Sequence, residues 1–483
     1  MNKTIKIALI LITVAGISAC NKSNYKTQPA TEISEVNTLL TNITIDALKE
    51  KNFVQAQRSI TAIILSGDNS AWRFIQSALV SMPQEMAMEV IDSALKQPSV
   101  LQSSEQLFAI AKIYISYKMT DEALKIINQS IALDKNNLEA RYWRARLLVV
   151  MKDYENAEKD FKYITKKDPT NESYSGQYAS FFQETNRFDK AQEILSSHKQ
   201  TPDNLFKRIV FSLQNKDTET ANKIYPTLKN LKASEEKQNH KYFLTAEAAY
   251  WLKNIPESEQ FYAKITGGEH YLDAREMLSL ILFDQERYDE SIEILHQLQN
   301  AEENYAVKAY RLESQIAKKQ GDVNEAILIL TRSLQIIPNN PELLYDRAML
   351  YESLGKMQKV EKDLLQIIKD DPDNYDALNA LGYSLADHDM KLEKAYEYIK
   401  KANELEPENA AILDSLGWVQ YKLGKYSEAE ENLLKALEKD INDPELYIHL
   451  YKTLLKLNKT DEAQTLIQKA KNLFPDNKKI MDF

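Results

Sequence analysis

The side chains that most often carry enzymatic chemistry are scattered through this sequence of 483 residues. No HExxH pattern, paired histidine spacing, Gly-x-Ser-x-Gly motif or glycine-rich phosphate loop occurs. Acid pairs such as Asp370-Asp371 are common, but on charged helices they are usually solvated. The six histidines stand in six separate places: His198, His240, His270, His296, His388 and His449. The sequence therefore predicts no catalytic residue, no metal and no cofactor, and it favours binding over catalysis.

The one cysteine, Cys20, follows a short apolar run at the start of the chain. Lys3 and Lys6 precede an apolar stretch over residues 7–16. Ten residues are too few to span a bilayer, which needs about 20. A positive start, a short apolar core and small residues before a cut site are typical of a secretory signal peptide.

The four residues "ISAC", 17–20, resemble the bacterial lipobox, in which cleavage before the cysteine leaves its thiol to carry diacylglycerol. Two or more acyl chains give stable anchoring, since one chain binds membranes only marginally. We therefore predict a signal peptide over 1–19 and a lipidated Cys20 that begins a flexible linker over 20–36. Asn21 stands where aspartate usually means inner-membrane retention, which favours the outer membrane. The alternative is an ordinary signal peptide that leaves Cys20 as a stray thiol.

Charge and composition narrow the classes of partner. The net charge is −10, and removal of the signal peptide with its two lysines makes it −12. Such an acidic chain does not favour nucleic acid or anionic membrane surfaces, which call for basic patches. No Gly/Ser/Pro-rich linker divides the chain after residue 35. One elongated repeat architecture explains this better than several globular domains.

The stretch "LGWVQYKLGKYSEAEENLLKALEKD", residues 416–440, resembles the tetratricopeptide repeat (TPR), with Leu416-Gly417 in a first helix, Gly424 in the turn and Ala429 early in a second helix. A small or apolar residue recurs at the place of Ala429, with a mean spacing of about 34 residues, the length of this repeat. These marker residues are Ala56, Ala87, Ala123, Ala157, Ala191, Ala221, Ser258, Ser291, Ala326, Val360, Ala395, Ala429 and Ala463.

The resemblance implies an all-α fold, a superhelical solenoid of about 13 helix-turn-helix repeats with an inner groove. Small residues such as Gly382 and Gly417 are expected where the two helices of a repeat cross. The stretch at 385–395 lengthens one turn by a residue. The predicted segments are N-terminal repeats over 37–136, partly degenerate central repeats over 137–306, C-terminal repeats over 307–477 and a tail over 478–483.

First helices line the groove in this repeat, so their inward positions are the expected binding surface. The register predicts two sets of partner-binding residues. An aromatic and polar set consists of Tyr345, Asn379, Tyr383, Asp414, Trp418, Tyr421 and Lys422. A basic set, suited to acidic side chains or a terminal carboxylate, contains Arg311 and Lys318 with Gln315 and Lys319. The alternative is that Tyr383 and Trp418 pack between neighbouring first helices and only complete the core.

The paired motifs "ALGYSLAD" and "ILDSLGW", together with the lipobox and the all-repeat chain, resemble the LbcA-type outer-membrane TPR lipoproteins of proteobacteria. That resemblance implies an adaptor, lipid-anchored at the outer membrane and facing the periplasm. Such an adaptor holds a carboxyl-terminal processing protease and presents substrates to it, including cell-wall hydrolases. This chain is shorter than the best-known members of that group.

A second class of function remains open from the sequence. The same anchor and groove suit an assembly lipoprotein for a secretion, pilus, polysaccharide-export or peptidoglycan-synthesis complex. Either way the partners are periplasmic proteins, with membrane contact through the lipid and no nucleic acid. A cytoplasmic co-chaperone is excluded by the predicted signal peptide.

Overall fold

The computed structural model of the protein describes residues 35–67 and 69–483. Within them the chain forms 28 α-helices and a short 3₁₀-helix at Asn69–Ala71, and no β-strand. The predicted all-α fold is confirmed. The predicted signal peptide, the lipobox with Cys20 and the linker as far as residue 34 lie outside the described residues.

Twenty-six of the helices alternate along the chain as the first and second helices of thirteen repeats, numbered here as repeats 1 to 13. The first helices of the repeats are α1 (Glu35–Lys49), α3 (Trp72–Val80), α6 (Ser104–Ser116), α8 (Leu138–Val150), α10 (Glu172–Glu184), α12 (Pro202–Gln214), α14 (Glu235–Trp251), α16 (Tyr271–Asp284), α18 (Glu303–Lys319), α20 (Pro341–Ser353), α22 (Tyr375–Asp387), α24 (Ala410–Lys422) and α26 (Pro444–Lys456). The second helices are α2 (Phe53–Leu65), α4 (Gln84–Ala94), α7 (Thr120–Leu133), α9 (Tyr154–Lys167), α11 (Phe188–Ser196), α13 (Thr218–Asn230), α15 (Ile255–Ala263), α17 (Tyr288–Leu298), α19 (Val323–Ile336), α21 (Met357–Asp370), α23 (Leu392–Leu405), α25 (Tyr426–Lys439) and α27 (Thr460–Leu473). Two single-turn helices complete the set, α5 (Pro98–Leu101) and α28 (Lys478–Met481).

The described residues divide into two compact units, one as far as Ala221 and the other Asn222–Phe483, with the division inside α13. Each unit has its own apolar core, built between the helices of a repeat and between neighbouring repeats. The predicted segment boundaries after residues 136 and 306 stay predictions.

The thirteen marker residues all occupy the same structural place. Each is the fourth residue of a second helix, and each is fully buried. A small side chain there lets the first helix of the repeat approach closely, and larger apolar residues such as Phe161 and Leu433 fill the space beside it. The predicted number of repeats is therefore confirmed by one packing position.

Two glycines mark the closest crossings. A Cβ added to Gly417 would lie 2.5 Å from Leu433 Cγ, and one added to Gly382 would lie 2.5 Å from Ile399 Cγ1. Such distances are well inside van der Waals contact, so a side chain at either place would push the two helices apart. The expectation of small residues at the crossings holds at both positions.

Polar and conformational signals set the ends of the helices. Asn340, Asn374 and Asn409 precede first helices, and their side chains accept hydrogen bonds from the first free backbone N–H groups. Between the helices of a repeat, one residue usually has a left-handed backbone, as Lys152 does at φ 62° and Gly424 at φ 79°. These turns lead the chain straight into the second helix.

The irregular places predicted from the spacing differ in structure from the regular repeats. The lengthened turn of repeat 11 contains two left-handed residues, Asp389 at φ 54° and Lys391 at φ 46°. In the central repeats the second helices α11 and α15 have only nine residues each, and α13 contains an internal proline, Pro226. The repeat plan persists there with shorter second helices.

The segment predicted as a tail closes the end of the second unit. Ile480, in α28, is fully buried. The ring of Phe483 lies 5.0 Å from the ring of Tyr451, on the last first helix. A solenoid exposes the apolar face of its final repeat unless something covers it. Here α28 and the terminal residue supply that cover.

Candidate functional site

The first helices of repeats 11 and 13 meet across the first helix that lies between them. The hydroxyl of Tyr383, on α22, donates to the carboxylate of Glu445, on α26, at 3.2 Å, although 62 residues separate them. First helices two repeats apart can touch only on the side toward which the row of helices curves. We call this concave side of α18, α20, α22, α24 and α26 the inner face.

Trp418 lies within the inner face and is not presented on it. The residue is 4% exposed, and its ring stacks on Tyr421 at 5.0 Å and on His449 at 4.1 Å between centroids. Its indole N–H donates to Asp387 at 3.2 Å. Trp418 thus contacts α22 through Asp387 and α26 through His449. It packs between neighbouring first helices, as the alternative prediction states.

Asp414 is also enclosed. It is 8% exposed, and its two carboxylate oxygens lie 2.9 and 3.1 Å from Nδ1 of His449. A carboxylate only accepts, so the imidazole N–H is the donor. Tyr383 is half-buried nearby, and burial together with the charge of Glu445 raises the pKa of its hydroxyl. We call Tyr383, Trp418, Tyr421 and His449 the aromatic cluster.

Lysine side chains border the aromatic cluster. Nζ of Lys422 lies 4.9 Å and Nζ of Lys452 lies 5.1 Å from the centroid of the Trp418 ring, within the range of cation–π attraction. Lys422 also forms an ion pair with Asp389 at 2.9 Å. Lys422, a predicted groove residue, is thus already engaged by Asp389 and Trp418 of the same chain.

In the predicted basic surface of repeat 9, Arg311 is neutralised by acidic residues, whereas no ion pair involves Lys318 or Lys319 among the described residues. Nε of Arg311 lies 2.6 Å from Asp346 in the next repeat, and the same guanidinium is hydrogen-bonded to Glu342. Lys319 lies over the ring of Phe283 at 4.7 Å. Lys318 is exposed. The sequence predicted a basic surface here, but acidic residues one repeat later meet its guanidinium.

At least one polar contact joins the first helices at each step from repeat 8 to repeat 13. The paired residues are 31 to 35 positions apart, one repeat length. The contacts are Lys308 with Glu276 at 2.9 Å, Arg311 with Asp346 at 2.6 Å, Ser384 with Glu352, Trp418 with Asp387 at 3.2 Å and His449 with Asp414 at 2.9 Å. We call these five pairs the first-helix ladder. Three predicted groove residues, Arg311, Asp414 and Trp418, belong to it.

Two predicted residues between repeats 10 and 11 are not taken up by the ladder. Tyr345 and Asn379 are both half-buried on the inner face. Among the described residues, no hydrogen bond is made by the Tyr345 hydroxyl, and Oδ1 of Asn379 is buried without a donor. Burial raises the pKa of Tyr345, and the charges of Asp376 and Glu352 raise it further. Tyr345, with its acidic surroundings, is the open polar part of the inner face, whereas the Asn379 oxygen is enclosed.

Reasoning from the sequence missed the residues that close the inner face. The sequence places His449 in no motif, yet it is 5% exposed at the centre of the aromatic cluster. Asp346, Glu352 and Asp387 were not singled out. The signal that could have found them is an acidic residue about one repeat length from a donor on another first helix.

The described residues contain neither a metal-binding group nor a membrane-spanning helix. Among residues 35–67 and 69–483, no three His, Cys, Asp or Glu side chains are grouped to hold a metal ion. No helix in the same ranges is both long and apolar enough to cross a bilayer.

Parts of the chain are similar to known proteins. The tetratricopeptide repeat family matches residues 317–382 and 421–480. A TPR repeat-containing protein of Pseudomonas aeruginosa is 34% identical over 209 residues, which are 43% of this chain and 35% of that protein. The BBSome complex member BBS4 of Bos taurus is 28% identical over 187 residues, covering 32% of this chain and 36% of that protein. The chain thus spans about a third of the length of these curated relatives.

A solved structure was also compared over nearly the whole chain. The crystal structure of the APC/C hetero-tetramer Cut9-Hcn1 contains a chain that is 14% identical, with 98% of each chain covered and a TM-score of 0.36. The sequence matches in repeats 9 to 13 and the repeating helix pairs show the all-α fold of a tetratricopeptide-repeat superhelix.

Proposed function

We propose that this protein is a lipid-anchored scaffold whose inner face binds an extended segment of a partner protein between repeats 10 and 11. Tetratricopeptide repeats indicate a protein-binding scaffold and are typically non-catalytic. The observation that carries the proposal is Tyr345, a half-buried tyrosine whose hydroxyl bonds to no other described residue. A partner can form a hydrogen bond with that hydroxyl without breaking a hydrogen bond among the described residues.

The chemistry of Tyr345 suits an extended peptide. Its ring offers a large rigid contact, and its hydroxyl can donate to a backbone carbonyl or accept from a backbone N–H. Asp376 is exposed near Tyr345 and adds negative charge. The inner face here therefore favours a segment that presents N–H donors or a basic side chain. The aromatic cluster supports this site from one side by holding α22, α24 and α26 together.

We further propose that the scaffold is an adaptor for a carboxyl-terminal processing protease and its substrates, such as cell-wall hydrolases. The basis is the resemblance of residues 379–437 to the LbcA-type lipoproteins, together with the predicted anchor at Cys20. A scaffold that binds enzyme and substrate together raises their effective concentration without any new contact between them. A lipid anchor at the outer membrane would confine this encounter to the periplasmic surface of that membrane.

Reversible cross-linking in intact cells, purification in mild detergent and mass spectrometry would test the proposal. Recovery of a carboxyl-terminal processing protease with wall hydrolases would support the adaptor. Recovery of secretion, pilus, polysaccharide-export or wall-synthesis components without a protease would assign the chain to assembly scaffolds. In a reconstituted digestion, an unchanged cleavage rate for every client would reject the adaptor.

A matched pair of variants tests the binding site itself. Tyr345 and Tyr398 are both half-buried tyrosines packed against the same core, but Tyr398 lies on a second helix, α23. Tyr345→Ala should weaken partner recovery about tenfold or more, as expected for an aromatic anchor. Tyr398→Ala should leave it near the wild-type level. Equal losses in the two variants would show that packing, and not the inner face, is responsible.

A further inference from the structure

A surface cavity of about 540 Å³ lies in the first unit, between the second helices α7 and α9 and above the first helix α8. Its polar lining includes Arg141, Arg144, Lys159 and Asp160, and its apolar lining includes Leu124 and Leu148. The volume falls within the range of small ligand pockets, about 300–1,000 Å³. It is far larger than a single inorganic anion requires.

The floor of the cavity is a buried ion pair. Asp160 is 1% exposed, and its carboxylate accepts from Nε of Arg144 at 2.6 Å and from Nη2 of Arg144 at 2.8 Å. Nη1 of Arg144 donates to Asn128 on the preceding second helix at 2.7 Å. A buried carboxylate needs such pairing. This part of the cavity is structural.

Repeat 10 contains the same construction and serves as an internal reference. Arg347 donates through Nε and Nη2 to Asp363, each at 2.8 Å, and through Nη1 to Thr331 at 3.2 Å. The spacing of 16 residues between arginine and partner is the same in both repeats. Three positions before Arg347 stands Leu344, which is buried. One arginine per aspartate is therefore enough for the fold.

Repeat 4 has a second arginine at the place of that leucine. Nη1 of Arg141 lies 2.8 Å from Asp160, Nε donates to the carbonyl of Lys135 at 3.0 Å, and the guanidinium lies 4.1 Å from the centre of the Tyr163 ring. Of the five N–H donors of a guanidinium, only these two are used within the described residues. Arg141 thus brings a surplus positive charge and three further donors to the cavity.

The lining of the cavity has a small excess of positive charge. Three cations, Arg141, Arg144 and Lys159, stand against two carboxylates, Asp153 and Asp160, whereas the whole chain has a net charge of −10. Lys159, at the cavity, pairs with Glu155, both side chains being largely exposed at 65% and 82%, and also donates to Asn156 at 3.2 Å. Exposed pairs of this kind are weak and exchange readily. The cavity is a local basic site on an acidic protein.

We propose that this cavity binds a carboxylate side chain of an acidic segment of a partner protein. Arginine donors match carboxylate oxygens in pairs, and Tyr163 holds the Arg141 guanidinium flat. Leu124 and Leu148 provide contact for the methylene groups or an apolar neighbour of that acid. The site is in the first unit and does not depend on the function proposed for the inner face.

The test is a fluorescence-anisotropy titration of the full chain with a labelled peptide that carries glutamates between leucines. A glutamine version of the peptide controls for charge. The informative variant is Arg141→Leu, the residue found at the same place in repeat 10, which leaves Asp160 paired with Arg144. Arg141→Gln is a second, polar variant. Lys435→Gln, which removes one charge from an exposed pair with Glu431 in repeat 12, is the control for net charge.

The glutamate peptide should bind the wild-type chain at least tenfold more tightly than the glutamine peptide, and each Arg141 variant should lose about tenfold. Lys435→Gln should stay within about twofold, since exposed pairs are weakly coupled to their surroundings. Equal binding by wild-type chain and both Arg141 variants would overturn the proposal, as would equal or undetectable binding of the two peptides. Binding only to phosphatidylglycerol vesicles would replace the protein partner with a membrane surface.

Discussion

Asp414 and His449, 35 residues apart in the chain, form a buried pair in which the imidazole Nδ1 lies 2.9 Å from a carboxylate oxygen. The pair joins the first helices α24 and α26, and the imidazole ring also stacks on Trp418. One contact thus fixes the relative position of two repeats and of the aromatic cluster between them.

Replacing either member of this pair should loosen both helices. Asp414→Ala and His449→Ala are each expected to destabilise α24 and α26 by about 2 kcal/mol, because a buried polar group loses its partner. Hydrogen exchange of peptides from the two helices would report this local loss. The double variant should cost less than the sum of the single ones, with a coupling of about 1–2 kcal/mol.

Asp389→Asn is the control for that experiment, because asparagine also tolerates the left-handed backbone of this position. Asp389 pairs with Lys422 in the same region, but its side chain is 68% exposed. Its replacement should change the opening free energy of α24, as measured by hydrogen exchange, by less than about 0.5 kcal/mol. Strict additivity of Asp414→Ala and His449→Ala would contradict a direct contact between them.

The crossing of α24 and α25 should not tolerate a methyl group. Gly417→Ala would place a Cβ 2.5 Å from Leu433 Cγ and 3.1 Å from the carbonyl of Ala429, so we expect a loss of about 1–3 kcal/mol in the free energy of unfolding. Gly267→Ala is the control, since nothing lies within 4 Å of its added Cβ. Urea denaturation followed by circular dichroism would compare them. Equal stabilities would show that the two helices separate at little cost.

The turns between helices offer a stabilising substitution. Lys152 has a left-handed backbone at φ 62°, and the following N–H, of Asp153, returns to the carbonyl of Leu148 at 2.9 Å. Gly424 occupies the same place in repeat 12, with Lys425 bonded to Gln420. A lysine is strained there by about 1 kcal/mol and a glycine is not.

Lys152→Gly should therefore stabilise the chain by about 0.5–1 kcal/mol, and the reciprocal Gly424→Lys should destabilise it by a similar amount. Thermal unfolding of the two variants beside the wild-type chain would show whether each substitution raises or lowers stability. A loss of stability in Lys152→Gly would mean that the lysine side chain contributes more than its backbone conformation costs.

Glu247 should make stability depend on pH. Burial raises the pKa of its carboxyl group, which accepts from the Tyr262 hydroxyl and, at 3.3 Å, from the Trp251 indole. The folded state then holds a proton that the unfolded state has released, so this group's contribution to stability falls as pH rises upward from about 4.5, the ordinary value of a glutamate.

Thermal melts across that range would test the effect. Glu247→Gln should flatten the slope, because an amide does not titrate. Glu155→Gln should leave the slope of stability against pH unchanged, since the side chain of Glu155 is 82% exposed. A slope that persists in Glu247→Gln would assign the pH dependence to other groups.

The predicted anchor can be tested by a single substitution. Cys20→Ala should release the protein from the outer-membrane fraction into the soluble periplasm, since no acyl chain could then be attached. Fractionation with immunoblotting would detect the shift, and metabolic labelling with a fatty acid would show whether the wild-type chain carries lipid. Retention of Cys20→Ala in the membrane fraction would contradict the lipobox.

The sequence by itself determined the repeat architecture. Marker residues such as Ala429 and crossing glycines such as Gly417 act within one helix pair, where packing depends on residues only 12 to about 20 positions apart. Because the same small residue meets the same crossing in each repeat, a spacing of about 34 is enough to count the repeats and to place their helices.

Tertiary structure alone decided which inner-face residues are available. Trp418 is enclosed because His449 and Tyr383, from repeats on either side, close over α24. Arg311 is neutralised because Asp346 comes within 2.6 Å of it at the next joint. Both outcomes depend on how far each repeat rotates against the next. That rotation depends on how side chains fit at every contact between repeats, and small differences add up along the row of helices. The spacing of the repeats in the sequence therefore does not predict it.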